Sequence, residues 1–271
     1  MNTKTFFRFG GVIESKRLNL LLTVGGGLLI LLIWTVLTWS GNLVPRKILP
    51  SPAEVAGAFS HLVSEDLFNN MIYTIGLNLL GIGIALVIAV PLGFILGIYP
   101  LPRALFQKYI DAIRYLPIPC ISGIFILTLG LGFNMKASFL AFGVLIYILP
   151  TICQKIYDLQ NPANDKDYVY LQTIKTLGAN NWQKFIYVYW PYVIGRVFTE
   201  LIALTAITYT YTVICEGLNK TGGVGAMIST MSRQSRTAEV YALLIIIILI
   251  GLTQDFLLKK ADKALFPYKY K

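Results

Sequence analysis

Six long apolar stretches, separated by shorter polar segments, dominate the hydrophobic pattern of the chain. Each stretch approaches the ~20 apolar residues that a helix needs to cross the hydrocarbon core of a bilayer. The pattern therefore predicts an all-α polytopic membrane protein, with a single transmembrane domain over residues 1–271. The predicted spans cover residues 20–39, 71–99, 109–131, 137–156, 192–218 and 241–258.

The segment 167–190, which we call the elbow, is the one long polar and regularly patterned stretch between two apolar blocks. Apolar side chains recur at helical spacing in both of its halves, and Gly178 between them favours a helix C-cap with positive φ. Pro191 is predicted to end the second helix and open the next span. The positions assigned to the apolar faces are Tyr170, Leu171, Ile174 and Leu177, then Trp182, Phe185, Ile186 and Tyr189.

Capping residues support a second short helix in the elbow. Asn180 or Asn181 is placed to cap it, and Gln183 stands three residues after Asn180, the spacing of a capping box. Two helices joined by a sharp turn are therefore expected outside the membrane. The pattern by itself also allows an ordinary interfacial helix pair that rests on the bilayer.

The elbow resembles the motif of bacterial ABC importer permeases, read as Glu-Ala-Ala, three residues, Gly, nine residues, Ile, one residue, Leu-Pro. Gly178 stands at the place of the Gly and Pro191 at the place of the Pro. Segments 49–55, LPSPAEV, and 216–228, EGLNKTGGVGAMI, are similar to the nitrate, sulfonate, taurine and bicarbonate branch of that family. The remaining motif positions hold Gln172, Thr173 and Ile174 for the triplet, Val188 for the Ile and Trp190 for the Leu.

The resemblance implies a type I permease that forms a homodimer, binds two cytoplasmic ATPase subunits and receives its substrate from an extracytoplasmic binding protein. It implies no cofactor in this chain, with ATP and Mg bound by the partner ATPase, and no enzymatic activity of the permease itself. The substrate implied is a small anion such as nitrate, bicarbonate or a sulfonate. The residues expected to couple to the ATPase are Gln172, Thr173, Leu177, Gly178, Ala179, Trp182 and Pro191.

Composition and charge agree with a membrane protein. The 271 residues are 56% hydrophobic and 13% charged, against about 25% charged residues in a soluble protein. Most Lys and Arg residues fall in the leader before the first span, in a short loop expected at 100–108, in the elbow and after the last span. The positive-inside rule then places both termini and the elbow in the cytoplasm of a bacterial inner membrane. The net charge of +10 is a topology signal directed at lipid headgroups and not a nucleic-acid footprint.

Polar and helix-breaking residues inside the spans are the candidates for a translocation pathway. Pro117 and Pro119 are predicted to break the third span, which is typical either of a pathway lining or of a packing kink. Arg114 lies beside this break, one helical turn from Asp111, with which it is placed to pair. In the fifth span, the i, i+4 spacing of Arg196 and Glu200 predicts an ion pair, and Glu216 is a further ionisable candidate.

The remaining sequence features favour transport over catalysis. His61 is interpreted as a solvated residue, and Cys120, Cys153 and Cys215 as buried apolar residues. Gly93 and Gly97 are interpreted as a tight helix contact. The sequence contains no Walker motif and no recognisable catalytic set. A membrane enzyme would need such a catalytic set and is therefore not favoured. The alternative that remains is an ion- or proton-coupled secondary transporter or channel without an ATPase.

Overall fold

The computed structural model describes residues 15–39, 44–163, 165–219 and 221–270, and these residues form helices joined by short connections. Most of the predicted basic leader therefore lies outside the described residues, as do Lys220 and Lys271. No strand occurs within the described ranges. The helices are α1 (Lys16–Trp39), α2 (Pro52–Ser64), α3 (Leu67–Ile98), α4 (Pro100–Ile113), α5 (Ser122–Leu129), α6 (Phe133–Gln160), α7 (Asp165–Thr176), α8 (Asn181–Lys184), α9 (Trp190–Asn219), α10 (Val224–Arg233) and α11 (Thr237–Leu265).

Among the described residues, five helical stretches are long and apolar enough to cross a membrane: α1, α3, α6, the continuous run Asn181–Asn219, and α11. Helix α4 and the stretch Ile118–Leu129, which ends in α5, pass the same test together with a bend of 98° between them, and they bring the count to six if they form one span. The chain divides into two compact units, one of residues up to Glu65 with Met231–Ala242, the other of Asp66–Thr230 with the described part of Leu243–Lys271.

In the smaller unit, the segment before α2 is fastened by backbone acceptors. Trp34 donates its indole N–H to the Pro50 carbonyl at 2.9 Å. Ser51 caps α2 in a reciprocal capping box with Glu54, with Pro52 in the first turn. The Ser51 backbone N–H holds the pKa of the Glu54 carboxyl below its ordinary value, because that bond favours the charged form. Arg236 pairs with Glu65 at 2.6 Å.

In the larger unit, α3 and α6 run parallel, and glycines bring them together. Gly81 packs against Leu140, and further along both helices Gly93 packs against Ile152, where a Cβ on the glycine would lie only 2.5 Å from the isoleucine. Gly97 repeats the contact one turn later, so the tight contact predicted for these glycines is confirmed. Because parallel helices start at the same end, the chain between Ile98 and Phe133 must return over their whole length.

Helix α9 runs antiparallel to α3, since Thr74 near the start of α3 bonds Glu216 near the end of α9. The unit therefore has two ends. The elbow end contains residues 99–103, 156–160 and 165–196, and Arg103 bonds Gln160 there at 3.2 Å. The loop end contains residues 70–74, 133–136 and 216–225.

Of three local predictions in this region, two are wrong and one is confirmed. Residues 100–108, expected as a loop, are helical, because Pro100 occupies the first position of α4, where its missing N–H costs nothing. The third span, predicted over 109–131, is interrupted after Ile113 and resumes at Ile118, which confirms the break predicted at Pro117 and Pro119. Cys120, expected to be buried, is exposed.

Candidate functional site

The turn of the elbow is fixed by a glycine C-cap. Gly178 has φ +70°, the left-handed conformation that glycine adopts without strain. Its N–H donates to the Lys175 carbonyl at 3.0 Å, and the Ala179 N–H donates to the Ile174 carbonyl at 3.3 Å. These two bonds form a Schellman motif, which confirms the cap predicted at Gly178.

The second helix of the elbow begins at the predicted cap. Asn180 accepts a bond from the Gln183 N–H at 2.8 Å, and the Gln183 side chain accepts one from the Asn180 N–H at 2.8 Å. Asn180, and not Asn181, is therefore the N-cap of α8, and the capping box fixes the direction in which this helix leaves the turn.

Pro191 does not end this helix, contrary to the sequence prediction. Residues Phe185–Tyr189 form a π-helical turn, in which the Trp190 N–H reaches back to the Phe185 carbonyl, and α9 continues without interruption. The wider turn accommodates the proline ring, since π-bulges loosen the helix where it would otherwise clash. The fifth apolar helix therefore starts at Asn181 and not near Tyr192.

Two exposed large apolar side chains flank the turn of the elbow, one on each side. Leu177 is 78% exposed and Trp182 is 68% exposed, whereas Leu171 is buried and Ile174 half-buried in the core. The positions predicted to share one apolar face therefore differ in burial, since Tyr170 and Leu177 are exposed whereas Leu171 is buried. Among the residues expected to couple to the ATPase, Gln172, Thr173, Leu177, Gly178 and Trp182 are exposed, whereas Ala179 and Pro191 are half-buried.

Side chains from three helices fasten the elbow to the bundle. Arg196 on α9 pairs with Asp167 on α7 at 2.7 Å and lies 3.7 Å from the centre of the Tyr192 ring. The Gln160 side chain donates to the Tyr189 hydroxyl in the π turn at 3.1 Å. The predicted pairing of Arg196 with Glu200 is wrong. Arg196 pairs with Asp167, and Glu200 pairs with Lys155 of α6 instead, with 3.7 Å between the ammonium nitrogen and a carboxylate oxygen.

A second polar cluster closes the loop end. The buried Glu216 carboxylate accepts bonds from the Thr74 hydroxyl at 2.9 Å and from the Gly225 N–H at 2.8 Å. Thr74 in turn accepts the Val224 N–H at 2.8 Å, and Asn70 accepts the Gly223 N–H at 2.7 Å. Three consecutive backbone N–H groups at the start of α10 are therefore satisfied by side chains of α3 and α9.

Lys136 lies on the other side of the same loop. Its buried ammonium group donates to Thr221 at 3.1 Å and to the Gly222 carbonyl at 3.4 Å. Gly222 and Gly223 have φ +139° and +100°, and a Cβ on Gly223 would overlap the Glu216 carboxylate. The glycines of this loop thus permit its backbone conformation and its close approach to a buried acid.

Neutral polar groups join α3, α9 and α11 about one helical turn from the loop end. The Asn78 amide donates to Thr208 and Thr212, each at 3.0 Å, and accepts from Gln254 at 3.2 Å. Tyr209 donates to Gln254. Every group in this network is an amide or a hydroxyl.

The candidate residues predicted from sequence occupy separate places. Arg114, Pro117 and Pro119 are exposed at the break between α4 and α5, and the Gln107 side chain bonds Asp111 at 3.0 Å in place of the arginine. Arg196 and Glu200 lie at the elbow end, and Glu216 lies at the loop end. Sequence reasoning missed Thr74, Asn78 and Gln254, whose signal was a polar residue within an otherwise apolar span, and Lys136, which precedes the predicted fourth span by one residue.

Comparison with known proteins decides the family. The family described as "Binding-protein-dependent transport system inner membrane component" matches residues 89–266 of the chain. The chain belongs to this family. The permease is also 22% identical over 237 residues to a protein of Brucella abortus (strain 2308) named as an ABC transporter permease, a match that covers 87% of this chain and 90% of the relative.

Two further relatives carry a substrate in their names. The aliphatic sulfonates transport permease protein SsuC of Bacillus subtilis is 24% identical over 247 residues, which are 89% of this permease and 84% of the relative. The formylaminopyrimidine transport permease protein ThiX of Halalkalibacterium halodurans is 22% identical over 253 residues, 90% of this chain and 94% of the relative. The resemblance to ABC importer permeases is confirmed, and the helical membrane fold is that of a type I permease.

Proposed function

We propose that this permease is the membrane-spanning subunit of an ATP-driven importer that receives its substrate from an extracytoplasmic binding protein. The observation that carries the proposal is the elbow, which presents Leu177 and Trp182 to solvent from a turn held by two caps. Large apolar side chains on a short amphipathic helix are the usual anchors for docking into a groove of a partner.

The groove belongs to a cytoplasmic ATPase subunit, which binds ATP and Mg. Two copies of the permease form a homodimer and engage two ATPase subunits. Closure of the ATPases then pushes on each elbow, and the ion pair between Asp167 and Arg196 passes this displacement to α9. Because α8, the π turn and α9 are one continuous helix, a shift of the elbow becomes a movement of a span.

The alternative, an ion- or proton-coupled transporter, receives less support from the polar groups. Such coupling requires an ionisable relay near the middle of the membrane. In the described part of the bundle, the network that joins α3, α9 and α11 consists of amides and hydroxyls, and the buried Glu216 and Lys136 lie at the loop end, where both bind the loop. An importer driven by a separate ATPase needs no ionisable relay within the spans, so these positions of the polar groups support it more than they support an ion- or proton-coupled transporter.

For the substrate, we propose a small anion, with an alkyl sulfonate as the first compound to test. Support comes from the name of the relative SsuC and from the resemblance of segments 49–55 and 216–228 to the nitrate and sulfonate branch. Uptake of radiolabelled alkyl sulfonate, nitrate and bicarbonate by cells with and without the permease tests this assignment.

Substitution of Gly178 tests the coupling proposal. Gly178→Val forces a β-branched residue to positive φ and should misdirect α8, whereas Gly178→Asn should be tolerated because asparagine adopts this conformation. A Cβ at this position meets no atom within 4 Å, so the comparison isolates backbone conformation from steric overlap. We expect Gly178→Val to abolish uptake and ATPase co-purification at unchanged membrane abundance, and Gln172→Ala to be milder. Normal uptake with normal ATPase retention in Gly178→Val would contradict the proposal.

A further inference from the structure

A cavity of about 460 Å³ lies between α9 and α11 at the elbow end of the larger unit. Its volume falls within the roughly 300–1,000 Å³ of small-ligand sites. Ile202 and Ala203 of α9 form an apolar wall, and Lys259 and Lys263 of α11 stand one turn apart on the opposite wall. Tyr270, from the segment that follows α11, closes one side.

The acidic groups of the cavity are already neutralised. Asp262, which is almost fully buried, accepts bonds from Lys269 at 2.6 Å and from the Tyr270 hydroxyl at 2.5 Å. Asp255 pairs with Lys259 at 2.6 Å. Lys263 has no carboxylate within ion-pair distance among the described residues, and its ammonium group lies 5.8 Å from the Tyr270 ring centre. Together with Lys269, the lining carries one positive charge in excess.

The same face of α11 continues toward the middle of the membrane as an apolar stripe. Leu249, Leu252 and Phe256 are 55%, 61% and 66% exposed. They precede Lys259 and Lys263 at alternating spacings of three and four residues, which place all five side chains on one side of a helix. An exposed apolar stripe that ends in two lysines has the polarity profile of a phospholipid, with acyl chains along the stripe and the headgroup beside the cations.

We propose that this cavity binds the headgroup phosphate of an anionic phospholipid, whose acyl chains lie along Leu249, Leu252 and Phe256. The stripe selects a lipid over a free anion, because soluble phosphate would leave it uncovered. The site is independent of the ATPase, the binding protein and the transported substrate. It fastens α11 to α9 through a ligand that the membrane itself supplies.

Native mass spectrometry of the permease, purified and returned to phosphatidylglycerol or phosphatidylcholine nanodiscs, tests the proposal. We expect retained phosphatidylglycerol on the wild type and little retained phosphatidylcholine. Lys259→Gln and Lys263→Gln should each weaken phosphatidylglycerol binding about fivefold, the effect of one surface lysine. Lys260→Gln is the matched control, because this neighbouring exposed lysine does not line the cavity.

Asp255→Asn separates lipid binding from a loss of folding. It removes a negative charge from the cavity and frees Lys259, so phosphatidylglycerol retention should rise. An equal loss in Lys260→Gln would overturn the proposal, as would equal retention of both lipids. Displacement of the lipid by millimolar inorganic phosphate would show that the site takes the free anion. A changed oligomer mass with an unchanged lipid count in the lysine variants would assign the face to a second copy of the chain.

Discussion

At the scale of single residues, Glu216 shows why a buried acid is retained in an apolar helix. Its two bonds at 2.9 and 2.8 Å satisfy the hydroxyl of Thr74 and the N–H of Gly225, and Thr74 is thereby oriented to accept from Val224. A carboxylate can accept both bonds, whereas any side chain with a donor at this place must oppose one of them. The acid therefore determines the position of the loop before α10.

Glu216→Gln should destabilise the permease although the shape of the side chain is kept. Its amide N–H group would face the Thr74 hydroxyl, which now donates to the carboxylate, and the buried hydroxyl hydrogen would lose its acceptor. The expected cost is about 1–3 kcal/mol, measured as a lower thermal midpoint in detergent. Glu200→Gln serves as the control, since the partly exposed pair with Lys155 at 3.7 Å is worth about 0–1 kcal/mol. Equal midpoints for the two variants would show that Glu216 is not needed to hold the loop.

Pairings between residues were the least predictable feature of the site. The i, i+4 rule correctly finds that Arg196 and Glu200 share a face of α9, but it cannot weigh partners on other helices. Asp167 lies 2.7 Å from Arg196 because the elbow folds back on the start of α9. This contact depends on the path of the chain through the turn, which local spacing does not contain.

At the scale of elements, local chemistry made the caps predictable. Gly178, Asn180 and Ser51 act through bonds to residues within five positions of the chain, so their roles follow from sequence spacing. Pro191 was misjudged because a proline usually ends a helix, and the π turn that accommodates it is stabilised by tertiary contacts such as Gln160 to Tyr189. The parallel arrangement of α3 and α6 likewise depends on distant packing.

The segment after α11 depends on a glycine of another helix. The Lys269 ammonium group donates to the Gly195 carbonyl at 2.7 Å, and the Tyr268 hydroxyl donates to the Pro191 carbonyl at 2.5 Å. A Cβ on Gly195 would lie 2.5 Å from that hydroxyl oxygen. The bond to Asp262 raises the pKa of Tyr270 above its ordinary value, because deprotonation would remove the donor.

Gly195→Ala should therefore displace residues 266–270 from α9 and lower the thermal midpoint by a few degrees. Tyr268→Phe removes the oxygen that the new methyl group meets, so the double variant should be less destabilised than the sum of the two single variants. Gly83→Ala is the matched control, since a Cβ there meets no atom within 4 Å and alanine favours a helix. Strict additivity of Gly195→Ala and Tyr268→Phe would show that the two residues are not in contact.

At the scale of the whole molecule, the number of membrane crossings depends on the bent pair α4 and α5. Their 98° angle would suit a re-entrant loop, but a re-entrant loop would leave α3 and α6 antiparallel. The contacts of Gly81, Gly93 and Gly97 advance in the same direction along both helices. The pair must therefore carry the chain from the elbow end back to the loop end, and the six crossings predicted from the apolar pattern follow.

Charge then assigns the two ends of the larger unit to the two sides of the membrane. Positively charged loops remain in the cytoplasm during insertion. Among the described residues of this unit, Lys136 is the one cation placed at the loop end, and it is buried against the loop carbonyl of Gly222. The elbow end carries Arg103, Lys155, Lys175, Lys184, Arg196, Lys259, Lys260, Lys263 and Lys269. We therefore expect the elbow to face the cytoplasm.

Cysteine labelling can test the crossings and the orientation together. In a full-length chain whose three native cysteines are replaced, single cysteines at Leu101, Gly132 and Asn180 probe the start of α4, the turn before α6 and the elbow. Gly132→Cys should react with an impermeant maleimide in intact cells, whereas Leu101→Cys and Asn180→Cys should react only after permeabilisation. Reaction of Leu101→Cys and Gly132→Cys from the same side would show that α4 and α5 do not cross. Reaction of Asn180→Cys in intact cells would place the elbow outside, where no ATPase could reach Leu177 and Trp182.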